Sequence, residues 1–584
     1  MRYIRYRNRH LHRCRAIHSS LSSFALLVVG FGKGISPLAF HASNRSLVFA
    51  SLLSLAILSH SASGQVPLDR LPALLEGQPA WRSVAQETLP AAAADKKAES
   101  KQESVESPVA SAAGAPSRSE NLEAEKGLSA DTEPSADEST KELQALQKKF
   151  DERLKELEDQ FQTQADAKKE ADDAAKEKPT FELGGRIHLD YWTFPANQPG
   201  LGFLEHPFPT LPNYGDDPED RILFRRIRLE MQGDIPTHML WRMQIDFNNP
   251  SIPEYKDVYL GWNELSGNHT LLVGNQKRPL GLDHLNSSRF NVFMERPLVV
   301  EAFNQDSRRI GVCLYGHSDD ESLNWRYGIF NLENTSATGR YTGDSLQMAG
   351  YGRLVASPSY STDGRCYSHL AIAGAIAHPD GGDARSRVTN RNEGRFRTRP
   401  EARTDTRWLD TGPIAGANWY EILAAESIIN NGPFQLTSEY MVSFLQRDSN
   451  TPGTGPDTFF HGFYIYGAYF LTGEHMAYDR TSGTLDRVKP HKNFFLADRM
   501  CGRHDGRGWG AWQIIARYDY LDLTDQDIAG GVAQNFTLGL NWHWNAYAKM
   551  QTNLIFGDIR EHRPIAGFDG GSFTILGTRL NCDF

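Results

Sequence analysis

A 584-residue chain with 72 acidic against 62 basic side chains has a formal net charge of −10, which argues against nucleic-acid binding by the molecule as a whole. Its apolar share is 40%, and beyond the N-terminus it has no apolar run of 18 residues or more, so helical membrane spans are excluded. A transmembrane β-barrel is not excluded, because barrel strands are only half apolar.

The N-terminus is basic (Arg2, Arg5, Arg7, Arg9, Arg13, Arg15), and the apolar stretch Leu47 to Leu58 is followed by "SHSASGQ". That order reads as a secretory signal cut near Gly64, making 1–64 a targeting region. Residues 65–136 are rich in Ala, Ser, Glu, Lys and Pro, a composition that buries too little surface to fold, and are expected to be a disordered linker. Over 137–177, Leu143, Leu146, Phe150, Leu154, Leu157 and Phe161 recur at steps of three and four. This is a coiled-coil seam with one stutter between Leu146 and Leu154, and it implies self-association unless the helix is a solvated single one.

After Pro179 lysine becomes scarce, arginine takes over and strict alternation begins. In "FELGGRIHLDYW", Phe181, Leu183, Ile187, Leu189 and Tyr191 share one face, while Glu182, Arg186, His188 and Asp190 share the other. "MLWRMQIDFN" and "FTLGLNWHW" repeat the pattern, which marks half-buried strands. Such segments fall at 181–192, 221–233, 238–248, 255–263, 269–276, 308–316, 323–331 and 346–356 in the first half. They continue at 366–378, 417–428, 434–446, 459–471, 511–521, 534–543, 546–556 and 572–584. Sixteen is an even number, as a single-chain bacterial barrel requires.

Links after even-numbered strands are mostly tight ("DIPT", "ELSGN", "HSDDES", "NNGPF"), and links after odd-numbered strands are mostly long. Short turns on one rim and long loops on the other are the outer-membrane barrel signature. Segment 472–510 breaks the rule, as either a missed hairpin or an insertion. Its basic cluster (Lys489, His491, Lys492, Arg499, Arg503, His504, Arg507) is best read as a solvated loop. A soluble β-sandwich is disfavoured because charges such as Arg226, Arg228, Glu230 and Asp246 fill whole strand faces. Tyr191, Trp192, Trp262, Trp542, Trp544 and Phe584 suit interfacial girdles.

Cys14, Cys313, Cys366, Cys501 and Cys582 show no CxxC pair and no metal spacing. No GxSxG, HExxH or Walker motif occurs, so no catalytic site, metal or cofactor is expected.

The stretch "NQKRPLGLDHLNSSRFNVFMERPLVVEAFNQDSRRIG" (275–311), with "KDVYLGW" before it and "FLTGEHMAYDRTSGTLDRVKP" (470–490), resembles the phosphate-selective porin O/P family of Gram-negative outer membranes. The resemblance covers about 180–584. It implies an all-β, sixteen-stranded trimeric barrel whose third extracellular loop, here 277–307, folds into the pore. It also implies passage of phosphate or polyphosphate through a constriction of basic side chains. Carried over, the anion-binding candidates are Lys277, Arg278, Arg289, Arg296, Arg308 and Arg309. Strand parity adds Arg226, Arg228 and Arg242 as lumen-wall candidates. The same loop holds Asp283, Glu295, Glu301 and Asp306, so some arginines are expected to be ion-paired, Arg308 with Asp306 and Arg296 near Glu295 among them. Arg226, Arg228 and Arg242 in turn form a basic track or pair with Glu230 and Asp246.

The expected function is a passive outer-membrane anion porin with its N-terminal helix in the periplasm. The alternative is a weakly selective porin that serves mainly as an envelope anchor, its coiled coil contacting a periplasmic component. Alternation up to the terminal Phe584 resembles the signal read by the outer-membrane assembly machinery. The strand 572–584 is expected to close the barrel against 181–192.

Overall fold

The computed structural model describes residues 136–584 except 177, 237, 250, 306, 335–346, 380–381, 383–392 and 497–507. The expected targeting region (1–64), and the expected linker (65–136) apart from its last residue, lie outside the described residues.

Helix α1 spans Ala136–Lys176. Its apolar seam is exposed among the described residues: Leu143, Leu146, Phe150 and Phe161 are each about two-thirds exposed, and Leu154 and Leu157 are also exposed.

Sixteen antiparallel strands close into one barrel. In chain order they are β1 Glu182–Asn197, β2 Arg221–Ile235, β3 Met239–Asp246, β4 Glu254–Leu265, β5 His269–Lys277 and β6 Arg308–His317. Next come β7 Leu323–Asn331, β8 Met348–Tyr360, β9 Cys366–Ala377, β10 Ala417–Asn431 and β11 Phe434–Arg447. The last five are β12 Thr458–Phe470, β13 Ala511–Asp525, β14 Ile528–His543, β15 Ala548–His562 and β16 Gly571–Asp583. All sixteen expected segments are strands of this barrel. Several run further than alternation alone indicated: β13 and β14 meet across Gln526 and Asp527, where a twelve-residue link between 521 and 534 was expected. A register shift between Asp522 and Thr524 breaks the alternation there and hides the continuing strands.

The seam is β1 against β16, with Arg186 opposite Asp583 and Leu189 opposite Leu580. Phe584 extends it: its N–H donates to the Gly185 carbonyl (3.1 Å), and the Gly185 N–H donates back (2.9 Å). A closed sheet leaves no unpaired edge for lipid. Outward positions hold Ile187, Val312, Ile329, Ile372 and Leu423, all exposed, as a lipid-facing wall requires. Trp192 departs from expectation. Because Tyr191 faces out, Trp192 faces in; it is fully buried against Gly577, with its indole N–H on Asp190 (3.2 Å). No helix among the described residues is long and apolar enough to cross a membrane.

The lumen is not open across its width. The first loop on the long-loop rim carries α2 Pro199–Glu205, and the third, 278–307, enters the barrel with two short helices, α3 Leu282–Leu285 and α4 Leu298–Phe303. Leu282, Phe293, Met294, Leu298, Val299 and Val300 bury themselves in a core that also holds Tyr420, Met441, Phe460 and Tyr466 from the wall. The connection 471–510 is an insertion rather than a missed pair of strands. Among its described residues it adds only a two-residue ladder, Tyr478–Asp479 with Thr484–Leu485, which also lies inside. What stays hollow is the side lined by β1 to β7.

Candidate functional site

Two phase slips in the alternation build the hollow side. In β2, Ile222 and Phe224 face out, but the next outward residue is Ile227, three positions on. The bulge opposite His188 and Leu189 therefore turns both Arg225 and Arg226 inward. In β4, Tyr255 and Val258 face out across a second bulge, and Lys256 and Asp257 both turn inward. Asn275 steadies this bulge, its Nδ2 donating to the Lys256 carbonyl (2.6 Å). Regular alternation would have sent Arg225 to lipid, which is why parity alone missed it. The signal was present as the three-residue steps Phe224–Ile227 and Tyr255–Val258.

A cavity of about 540 Å3 results. It is lined by eleven arginines (186, 225, 226, 228, 242, 296, 308, 326, 399, 403, 407) and two lysines (256, 277), against five carboxylates (Asp246, Glu254, Asp257, Glu295, Glu301). Ser287 and Ser288 add hydroxyls at its lining.

Of the expected loop candidates, Lys277, Arg296 and Arg308 line this cavity, whereas Arg278, Arg289 and Arg309 do not. Lys277 Nζ donates to the carbonyls of Leu285 (2.8 Å) and Asn286 (2.9 Å), tying the α3 end to β5. Arg296 donates to the carbonyls of Asp283 and Asn286 (2.8 and 3.1 Å) rather than to Glu295. Arg308 forks onto Asp257 (3.0 and 2.8 Å); the expected partner, Asp306, lies outside the described residues. Arg278 donates to the Gln305 carbonyl (2.6 Å) and lies over the Tyr351 ring. Arg289 approaches Glu230 (3.5 Å) and Asp583 (3.4 Å). Arg309 is buried, with its Nη1 on the Arg308 carbonyl (3.0 Å).

All three expected wall residues line the cavity. Arg228 pairs with Asp246 (2.7 Å) and Arg242 with Glu230 (2.6 Å), while Arg226 forms no ion pair among the described residues and meets His188 Nδ1 (3.2 Å). The carboxylates of the loop thus organise shape rather than neutralise the lumen. Glu295 shows how: it takes the Arg225 fork (2.7 and 2.9 Å) and Arg579 (2.6 Å), and Arg579 also holds Asp190. Burial alone would raise the Glu295 carboxyl, but the Arg225 and Arg579 guanidiniums hold it well below the usual carboxylate range.

Arg399, Arg403 and Arg407, four residues apart in the loop 378–416, were absent from the expected set because nothing in a loop's pattern fixes where it points. Arg399 approaches Glu301 (3.6 Å). Among the described residues Arg403 makes no ion pair or hydrogen bond, and Arg407 Nε is buried without an acceptor. Burial, together with the Arg225 and Arg399 guanidiniums, pushes Arg403 down to about 9. Positive charge crowded without a matching anion behaves in this way.

A closed sixteen-stranded barrel with an apolar outer face, a charged lumen and an inward loop is an outer-membrane porin. The family model "Phosphate-selective porin O and P" matches residues 210–584, and the chain belongs to that family. An uncharacterised protein of Caulobacter vibrioides is 28% identical over 414 residues, 69% of this chain and 74% of that one. Porin O of Pseudomonas aeruginosa is 23% identical over 418 residues, 64% of this chain and 84% of that one. Among solved structures, the trimer form of OmpT from Vibrio cholerae matches 70% of this chain and 100% of its own, at 10% identity and a TM-score of 0.41. The outer-membrane channel DcaP of Acinetobacter baumannii matches 70% and 98%, at 9% identity and 0.40.

Proposed function

We propose that this porin passes small oxyanions, phosphate among them, by passive diffusion along the arginine-lined side of its lumen. The observation that supports this most is the excess of thirteen cationic side chains over five carboxylates around one cavity, with Arg403 and Arg407 making no ion pair among the described residues. Fixed cations in a water-filled pore with low-dielectric walls focus their field on the path. Guanidinium forks offer paired donors to phosphate oxygens. Because these donors sit on separate elements, an ion can be handed from the loop arginines (399, 403, 407) to the wall arginines (225, 226, 228). Each contact must stay weak enough to release it.

The family's description, phosphate-selective porin O and P, supports the same reading. Single-channel recording with phosphate added to a chloride bath tests it. Phosphate should reduce chloride current at millimolar concentration or below; chloride current indifferent to phosphate would reject oxyanion binding.

A second reading concerns α1. Its uncovered apolar seam supports a homotrimeric coiled coil in the periplasm, coupled to the barrel's own trimer and able to meet an envelope component. The terminal Phe584, paired to Gly185 and largely exposed, supports a role as the recognition signal for the assembly machinery.

A further inference from the structure

The inserted connection 471–510 leaves the lumen as well as entering it. Inside, the Tyr478 hydroxyl meets His369 Nδ1 (2.7 Å) and Ser357 (3.2 Å). Arg353 donates to the Gly483 carbonyl (3.0 Å), and the Leu485 N–H donates to Asn286 of the inward loop (3.0 Å). Arg487 then packs on Tyr547 and pairs with Asp583 at the rim.

Seven residues later the chain lies against the outer face. The Phe494 N–H donates to the Trp544 carbonyl (2.7 Å), and its ring stands edge-on to Trp542 at 4.7 Å. Trp542 is stacked on Trp512 at 4.8 Å, and these two are paired outward positions of β13 and β14. Both indole N–H groups donate to the Trp509 carbonyl (3.1 and 2.7 Å). Trp509, Leu496 and Phe495 are left 71%, 56% and 41% exposed, and Lys489 and Lys492 of the same connection are exposed as well.

This pad is continuous with the lipid-facing wall at the short-turn rim, the periplasmic one in outer-membrane barrels. We propose that Phe495, Leu496 and Trp509 sit in the headgroup region of the periplasmic leaflet, with the two lysines turned to anionic phospholipid. Exposed aromatics beside cations fit that layer, where an apolar body and a charged fringe are both satisfied. The same connection then holds its luminal ladder in place from the membrane side.

Full-length protein is reconstituted in vesicles whose lipids carry bromine near the headgroup, and the Trp509 contribution is taken as the difference between wild type and W509F. Brominated lipid should quench that contribution by at least half while aqueous iodide leaves it unchanged. Brominated phosphatidylglycerol should quench more strongly than brominated phosphatidylcholine. The assembled F495S/L496S variant should lose at least half of the lipid quenching. Quenching by iodide alone would mean a solvated loop, and protection from both quenchers would mean a protein partner; either overturns the assignment. Equal quenching by the two lipids would remove the role given to Lys489 and Lys492.

Discussion

Arg225 and Arg226 are chain neighbours that both face the lumen, yet they do different work. Arg225 is held on both oxygens of Glu295 and fixes the inward loop to the wall, whereas Arg226 makes no carboxylate ion pair among the described residues and lines the cavity. Removing Arg225 leaves Glu295 with Arg579 alone. Arg225→Met is expected to destabilise the docked loop by about 3–5 kcal/mol, since breaking one partner of a buried pair strands the other. The measurable result is noisier single-channel current with larger steps; quiet steps of wild-type size would contradict it. Arg403 and Arg407 carry the opposite expectation. Having no acid to release, Arg403→Ala with Arg407→Ala should leave stability unchanged and weaken phosphate block roughly threefold to tenfold, the range for losing charge-assisted hydrogen bonds in a hydrated site. Unchanged phosphate block in that double variant would exclude the loop arginines from the path.

At the scale of elements, the inward loop owes its position to a carboxylate rather than to an ordinary helix cap. Glu439 of β11 accepts the N–H groups of Leu282 and Asp283, both at 2.8 Å, at the start of α3. Glu439 also accepts the Tyr464 hydroxyl, so Glu439→Ala leaves three donors without their acceptor, a cost of about 3 kcal/mol or more at roughly 1–3 kcal/mol each. It should free the loop to protease in otherwise folded barrels; wild-type resistance would contradict that role.

Closure depends on Gly185. A Cβ there would come within 2.6 Å of both the Arg228 carbonyl and the Phe584 ring, so Gly185→Val should sharply reduce heat-modifiable barrel on gels. Wild-type yield would show the seam to be more forgiving than its packing.

The strands were legible in the sequence because a lipid-facing wall imposes period two between bulges, from Ile187 and Leu189 to Leu576 and Leu580. The site was legible only in part. Arg226, Arg228 and Arg242 follow parity, while Arg225 depends on a bulge and Arg403 on how a long loop folds. The partner of Arg296 was misjudged because a sequence neighbour was favoured over the carbonyls around α3; the fork of Arg308 onto Asp257 was not legible because it joins residues fifty-one apart in the chain.

For the whole molecule, charge is segregated rather than balanced. A chain of net charge −10 concentrates cations on one side of its lumen, while the inward loop and the inserted connection fill the other with apolar packing and paired charge. The uncovered seam of α1 belongs to this scale too. Phe150→Glu with Leu154→Glu should lower the trimer fraction in detergent without altering conductance per barrel, and an unchanged fraction would assign α1 to a solvated single helix. The most direct test of the central claim is the reversal potential of the full-length channel in a planar bilayer under a tenfold phosphate gradient. An oxyanion path lined by Arg225 to Arg228 and Arg399 to Arg407 predicts an anion-signed potential approaching the Nernst value; a potential near zero, or one of cation sign, would contradict it.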